Sequence, residues 1–244
     1  MTIRVDLVPK PPYTHPVLLV DVFYGSAVGM LLAAGATQVW IAKSVRAALI
    51  LAEGGGLLLG EEEGLPPEGF HNGLSLQALQ KQRFEGQRCV LLAKSLAESL
   101  EQLPPQSLLA CFRNARQAVQ YAVDQQIHTV VAATQSKLEP SLANTVVAGF
   151  LAKRLHQALG QWSSLQEGAR LATALLKSFP DPQESLVQSD FGKQLYRTGR
   201  SEDLALASLV SVEDILPRLT QVRTLEAQKY GLTKDRYGFC FEAR

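Results

Sequence analysis

The order of apolar and polar residues predicts an α/β fold with two lobes, in which largely parallel sheets are flanked by helices. Short continuous apolar runs, of which 17–22 (VLLVDV) is the clearest, are typical of strands buried on both faces. These runs alternate along the chain with segments of helical length, as in βαβ units. Because such strands occur in both halves of the 244 residues, we expect an N-terminal lobe over 1–100 and a C-terminal lobe, with a helical extension and tail, over 101–244.

The first predicted strand, 17–22, leads through Gly25 and Ser26 into an apolar stretch that favours a helix up to Ala34, and Gly35 ends it. Further strands are predicted where short apolar runs lie between turn-forming residues: 37–42, 57–59, 88–92, 107–111 and 129–134. Further helices are predicted where a polar or turn-forming residue precedes a segment with helical periodicity: 45–52, 76–82, 95–103, 114–125 and 142–159.

After Gly160 the pattern becomes mostly helical. Helices are predicted over three segments that end near Pro, Ser or Gly: 165–177, 182–189 and 191–198. A closing strand or turn is expected at 212–217. The tail 221–244 contains Gly231 and Gly238 among aromatic residues such as Tyr230, and we expect it to be loosely packed.

Composition excludes several classes of protein. The chain has 24 Lys and Arg against 23 Asp and Glu, a formal charge of +1, and so lacks the basic excess of many nucleic-acid-binding proteins. Its longest apolar run, 27–36, is far shorter than the roughly 20 residues of a membrane-spanning helix. The first residues contain no apolar secretory segment, and Cys89, Cys111 and Cys240 form no CxxC pair, so we expect reduced thiols in a cytoplasmic protein. A homo-oligomer is compatible with the sequence, but nothing in it indicates one.

Asp21 is the first candidate functional residue, because it lies at the end of the first predicted strand. Ligands of open α/β sheets bind beyond the carboxyl ends of the strands. The helix that follows would also offer free N–H groups to an anion. Asp21 beside Gly25 and Ser26 could therefore hold a divalent cation next to a phosphate. The alternative is that Asp21 caps a turn or pairs with a lysine.

Two later segments give further candidates. Glu61 belongs to GEEEG (60–64), which follows another predicted strand, and carboxylates suit Mg²⁺; the alternative is that this acidic run is simply solvated. In GFHNGLS (69–75) the glycines, Gly73 among them, allow a ligand to approach the backbone, and Ser75 could cap the next helix. The alternative for that segment is an ordinary loop and cap.

Taken in order, several motifs resemble those of the 2-phosphosulfolactate phosphatase family, from about residue 17 to residue 217: VDVFYGSA, GATQVWIAKSVRAAL, LLLGEEEG, GFHNGLS, FRNARQAV, SLANTVVAGFLAKRL and FGKQLYRTG. The resemblance implies a Mg²⁺-dependent removal of phosphate from 2-phospho-3-sulfolactate, in the coenzyme M route, at a site between two α/β lobes. It implies Asp21 and Glu61 as metal ligands. It also implies residues that bind a small anionic substrate: Gly25, Ser26, Gly73, Ser75 and Lys193.

Several polar positions depart from the family pattern. Tyr24 and Glu62 stand where the family has Arg, and Phe191 stands where it has His. Ala143 and Asn144 replace two acids. An Arg can bind phosphate or sulfonate with two parallel hydrogen bonds, which neither Tyr nor Glu can do. Two hypotheses follow: a Mg²⁺-dependent hydrolase of a phosphorylated small acid, or a protein that keeps the fold with the activity lost or changed and binds a ligand or a partner.

Overall fold

The computed structural model describes residues 1–135, 139–225 and 235–244. The strands are β1 (Thr2–Asp6), β2 (Leu18–Val20), β3 (Gln38–Ala42), β4 (Leu57–Leu59), β5 (Arg88–Leu92), β6 (Leu108–Ala110), β7 (Thr129–Ala132), β8 (Ser164–Leu165), β9 (Arg218–Leu225) and β10 (Asp235–Glu242). The helices are α1 (Val22–Ala33), α2 (Val45–Ala52), α3 (Leu76–Gln80), α4 (Lys94–Leu100), α5 (Ala115–Asp124), α6 (Leu142–Leu159), α7 (Glu167–Leu175), α8 (Pro182–Gln188), α9 (Asp190–Arg197) and α10 (Ser201–Ser208).

The strands form one sheet in the order β4-β5-β3-β10-β9-β6-β2-β7-β1-β8. Strands β4, β5 and β3 are parallel to one another, and so are β6, β2, β7, β1 and β8. Helices flank this sheet, which confirms the predicted α/β class with a largely parallel sheet. Strand β1 pairs with β7, and β2 pairs with both β6 and β7, so residues 2–20 lie beside strands from residues 108–132. The predicted boundary between two lobes near residue 100 stays a prediction.

The two parallel sets are joined by the antiparallel strands β9 and β10. Three successive pairings are antiparallel, β3 with β10, β10 with β9 and β9 with β6, so the two sets run in opposite directions. In a flat sheet their carboxyl ends would lie at opposite edges. Residues that follow β2 and β7 nevertheless line the same cavity as residues that follow β3 and β5. The sheet must therefore curl between the two sets. Strands β9 and β6 share one ladder pair, Leu108 with Arg218, and the backbone hydrogen bonds from Leu109 N to Pro217 O and from Leu219 N to Ser107 O flank it.

The expectation of a loosely packed tail is wrong for the described part of that segment. Strands β9 and β10 lie in the middle of the sheet, and Phe239 and Cys240 are completely buried. A Cβ on Gly238 would lie 2.8 Å from Leu51 of α2, so glycine here permits close packing of a helix on β10. The predicted residues Tyr230 and Gly231 lie outside the described residues. Residues 212–217 form neither a strand nor a turn, while β1 is a strand that the pattern analysis missed.

Helix α1 is buried along most of its length and carries the start of the candidate site. A Cβ on Gly25 would lie 3.3 Å from Cys111 Cβ, which shows how closely α1 packs against the end of β6. Asp21 N donates to Ala110 O at 3.1 Å and so ties the start of α1 to β6. In the parts of the chain that the structure describes, no helix combines the length and the apolar character needed to cross a membrane.

Candidate functional site

A cavity of about 1320 Å³ lies where strands of both parallel sets end. The residues that line it include one or more from the segment that follows each of five strands: Asp21 after β2, Lys43 after β3, Glu61 after β4, Lys94 after β5 and Thr134 after β7. Helices α8 to α10 contribute apolar side chains to the same cavity. This position agrees with the rule that ligands of α/β sheets bind beyond the carboxyl ends of the strands.

Asp21 is the N-cap of α1 and faces the cavity. Its Oδ1 accepts a hydrogen bond from Tyr24 N at 2.8 Å, and the side chain is 5% exposed. Burial raises the pKa of Asp21 to about 6, although hydrogen bonds from the backbone of Tyr24, Gly25 and Phe23 act in the opposite direction. A carboxyl group with a pKa near neutrality can both take up and release a proton at physiological pH. The anticipated alternative, a capping role for Asp21, is also present, since the same side chain caps α1.

Three aromatic rings lie next to Asp21. The Phe23 and Phe191 ring centroids are 4.8 Å apart, and those of Tyr24 and Phe191 are 6.4 Å apart. Burial, together with the charges of Asp21 and Glu61, raises the pKa of the Tyr24 phenol far above its ordinary value. The Tyr24 hydroxyl therefore remains protonated and can donate a hydrogen bond.

Glu61 lines the cavity but is held by neighbouring groups. Its Oε1 accepts from Leu74 N at 2.9 Å, and its Oε2 pairs with Arg200 Nη1 at 2.8 Å. A Cβ on Gly73 would lie 2.5 Å from Glu61 Oε1, so the glycine leaves room for the carboxylate in this position. Arg200 also pairs with Asp203 at 2.8 Å and donates to Leu74 O. The Glu61–Arg200–Asp203 cluster thus ties the loop after β4 to α10.

The other candidates from the sequence do not line the cavity. Gly25 N is bonded to Asp21 O at 3.1 Å, and Ser26 Oγ donates to Val22 O at 2.5 Å within α1. Ser75 Oγ donates to Asp203 at 2.9 Å, so Ser75 anchors α10 as well as capping α3.

Lys193 and Gly73 also serve roles outside the cavity lining. Lys193 is exposed and pairs with Asp190 at 3.5 Å on α9. Gly73 contacts the Glu61 side chain closely but does not itself line the cavity. Of the residues predicted from the sequence, Asp21 and Glu61 are the two that the structure brings to the cavity.

Asn144 is a cavity residue that sequence reasoning did not select. Its Oδ1 accepts from Val22 N at 2.9 Å, and its Nδ2 donates to Ala133 O at 2.9 Å. Asn144 therefore fixes the start of α1, next to Asp21, against the end of β7. A carboxylate in its place could not donate to Ala133 O. The sequence marked position 144 as one where the family pattern has an acid, but it carries no information about contacts 122 residues away.

Of the two candidate metal ligands, Glu61 has no unengaged oxygen to offer a Mg²⁺ ion in this arrangement. Both Glu61 oxygens are already engaged, one by Leu74 N and one by Arg200. Over residues 1–135, 139–225 and 235–244, no three His, Cys, Asp or Glu side chains are grouped so that they could hold a metal ion. The Mg²⁺ implied by the sequence resemblance therefore remains a prediction that these contacts do not support.

Carboxylates outnumber cations among the described residues of the cavity lining. The carboxylates belong to Asp21, Glu61, Glu62, Glu98, Glu101 and Asp190, and the cations to Lys43, Arg46 and Lys94. Lys43 pairs with Glu101 at 2.7 Å, which neutralises one charge of each sign. These cations also escaped the sequence analysis, although Lys43 directly follows the predicted strand 37–42 and so satisfied the rule that singled out Asp21.

Comparison with known proteins identifies the family. The family model described as 2-phosphosulpholactate phosphatase matches residues 2–222. A protein named "Probable 2-phosphosulfolactate phosphatase" from Deinococcus radiodurans is 30% identical over 228 residues, which cover 90% of this chain and 93% of that protein. A protein of the same name from Thermus thermophilus is 28% identical over 226 residues, which cover 90% of this chain and 94% of that protein. Another of the same name from Thermotoga petrophila is 26% identical over 214 residues, which cover 86% of this chain and 91% of that protein. The motif resemblance is confirmed, and the chain belongs to the 2-phosphosulfolactate phosphatase family.

Proposed function

We propose that this protein binds a small ligand in the cavity at the strand ends, as an altered-substrate member of its family. This ligand carries fewer negative charges than the phosphate and sulfonate of 2-phosphosulfolactate. The observation that supports this most strongly is the excess of carboxylates over cations in the described lining.

The electrostatic argument rests on the distances typical of a bound ligand. Two like charges 4 Å apart repel by about 4 kcal/mol at the effective dielectric constant of about 20 that applies near a protein surface. Glu61 does not add its full charge, because Arg200 neutralises it, and Asp21 can become protonated. Asp190 pairs with Lys193 at 3.5 Å, so Glu62 and Glu98 remain against Arg46 and Lys94 among the described lining residues. These charges balance, so they offer no net attraction to a ligand that carries both a phosphate and a sulfonate.

Hydrolysis of a phosphomonoester in the same cavity is a second candidate function. It is favoured by Asp21, whose carboxyl has a pKa of about 6 and faces the cavity. Such a group can donate a proton to a leaving oxygen, which typically contributes 10²–10⁴-fold to a rate. The Tyr24 hydroxyl, which stays protonated, could donate a hydrogen bond to the same ligand.

Release of inorganic phosphate from 2-phosphosulfolactate and from a panel of other phosphomonoesters, with and without Mg²⁺, tests the proposal. Asp21→Asn keeps the shape and the capping oxygen but removes the titrating group. Lys153→Ala, at an exposed position of α6 outside the cavity lining, is the control variant.

Each outcome of this assay decides between the functions. The proposal expects no release from 2-phosphosulfolactate above the level of Asp21→Asn. If the natural chain releases phosphate from another ester and Asp21→Asn does not, the proposal of an altered substrate stands and the protein is also an enzyme. Turnover of 2-phosphosulfolactate that depends on Asp21 would overturn the proposal in favour of the family reaction.

A further inference from the structure

We infer that the ligand of the cavity is a zwitterion: a phosphate group at one wall, formed by Lys43, Arg46 and Lys94, and a positively charged amine at another, formed by Asp21, Tyr24 and Phe191. This inference rests on the proposed function, since it specifies the class of ligand for the same cavity. We name the first group of residues the cationic wall and the second the acidic aromatic wall.

The cationic wall is assembled by two neighbouring strands. Strands β3 and β5 are parallel, and Ala42 lies directly opposite Leu92, so the residues that follow them leave the sheet at the same edge. Lys43 follows β3, and Lys94 begins α4 two residues after β5. All three cationic side chains of this wall line the cavity, but Lys43 pairs with Glu101 at 2.7 Å, so Arg46 and Lys94 are the two that would meet the phosphate.

Arg46 occupies a position that the helix itself does not favour. It lies in the first turn of α2, two residues after the N-cap Ser44, where the positive end of the helix dipole repels a cation. The positive charge there costs the helix stability. A bound anion would reverse that cost, because it would interact favourably with the side chain and with the dipole.

The acidic aromatic wall contains a buried carboxyl without a cation beside it. Asp21 is 5% exposed, its bonds come from backbone N–H groups, and within the described residues no Lys or Arg pairs with it. A buried carboxylate is costly unless a positive charge lies close to it. A ligand amine would supply that charge, and the rings of Tyr24 and Phe191, which line the cavity with centroids 6.4 Å apart, would attract the same cation.

The two walls belong to different parts of the sheet. Strands β3 and β2, which lead into Lys43 and Asp21, are separated in the sheet by β10, β9 and β6. The cavity of about 1320 Å³ also exceeds the roughly 300–1,000 Å³ of ordinary ligand pockets. A ligand with opposite charges at its two ends fits this separation, whereas a compact acid would contact one wall.

Phosphocholine, a phosphate monoester with a quaternary ammonium group, is a suitable probe. Its affinity for the full chain would be measured by calorimetry beside those of inorganic phosphate and choline. We expect phosphocholine to bind about tenfold or more tightly than inorganic phosphate, as a desolvated cation–π contact and an ion pair would give. Arg46→Ala together with Lys94→Ala should weaken both phosphocholine and phosphate.

The variant Asp21→Asn tests the acidic aromatic wall, with Lys153→Ala as the control. Asp21→Asn should make the affinities for phosphocholine and phosphate nearly equal, while Lys153→Ala, on the exposed face of α6, should leave their ratio unchanged. Circular dichroism of each variant would show that the fold is retained.

Equal affinity for phosphocholine and phosphate, or a preference that survives in Asp21→Asn, would overturn the inference. That failure is separate from failure of the proposed function, which only turnover of 2-phosphosulfolactate would overturn. If neither phosphocholine nor 2-phosphosulfolactate binds, the inference of a zwitterionic ligand is refuted, while the proposal of an altered substrate stands.

Discussion

Replacement of Arg200 by Met should destabilise the protein, because one guanidinium holds two carboxylates. Arg200 pairs with Asp203 and with Glu61, both at 2.8 Å, and also donates to Leu74 O. Asp203 is 1% exposed, so loss of its partner leaves a buried charge. Methionine keeps most of the aliphatic length but removes the guanidinium, whose Cζ lies 6.0 Å from the centroid of the Phe23 ring.

The magnitude follows from the exposure of the partners. Removal of one member of a fully buried ion pair typically costs about 3–5 kcal/mol. Arg200 and Glu61 are 22% and 24% exposed, and Asp203 keeps hydrogen bonds from Ser75 Oγ and Gln77 N. Both features lessen the loss, so we expect about 2–3 kcal/mol in the free energy of unfolding.

Urea unfolding of Arg200→Met, followed by circular dichroism, measures this loss. Arg116→Met is a matched control, because Arg116 also pairs with an aspartate, Asp214, but both side chains are more than half exposed. Surface pairs contribute little, so the control should lose far less stability. Equal losses in the two variants would refute the reasoning that the Arg200 cluster anchors the loop after β4.

Three further predictions concern buried polar groups. Asp21→Asn should gain stability relative to the natural chain by about 2 kcal/mol as the pH rises from 4 to 7. The pKa of Asp21 is raised to about 6 in the folded protein, so the unfolded chain loses its proton first, and the stability of the natural chain falls as the pH rises from 3.8 to 6. Urea unfolding at both pH values checks this, and a difference that does not change with pH would contradict it. Arg113→Met should lower the free energy of unfolding by about 3–5 kcal/mol, because Glu213, paired with Arg113 at 2.7 Å, would remain buried without a cation. A loss of about 1 kcal/mol or less, the contribution of one ordinary hydrogen bond, would count against a tight buried pair. The three cysteines, whose thiol pKa values burial raises to about 11 or 12, should react with a thiol reagent at pH 8 only after unfolding, and rapid labelling of the native protein would show that they are accessible.

The sequence predicted the α/β class and the position of Asp21 because both depend on local patterns. An apolar run of strand length that ends in an acid identifies a strand end, and strand ends in such sheets carry ligand sites. The same rule placed Glu61 correctly at the cavity. It did not distinguish a carboxylate that faces the ligand freely from one that Arg200 holds, since Arg200 lies 139 residues further along the chain.

The central position of β9 and β10 was beyond local patterns for a related reason. Strand β10 contains Gly238, which lowers strand propensity, and its partner β3 lies about two hundred residues away in sequence. The run Phe239–Cys240–Phe241 was the available signal, because continuous apolar residues are typical of a strand buried on both faces. Ser26 and Ser75 were selected for their positions near helix starts, yet their hydroxyls are used by Val22 O and Asp203.

Competition between 2-phosphosulfolactate and phosphocholine for the cavity tests the central claim most directly. In a calorimetric displacement titration of the full chain, the excess of carboxylates predicts that phosphocholine binds more tightly and that 2-phosphosulfolactate fails to displace it at equal concentration. Displacement of phosphocholine by an equal concentration of 2-phosphosulfolactate, weakened in Arg46→Ala, would contradict the claim and show that the cavity selects a polyanion.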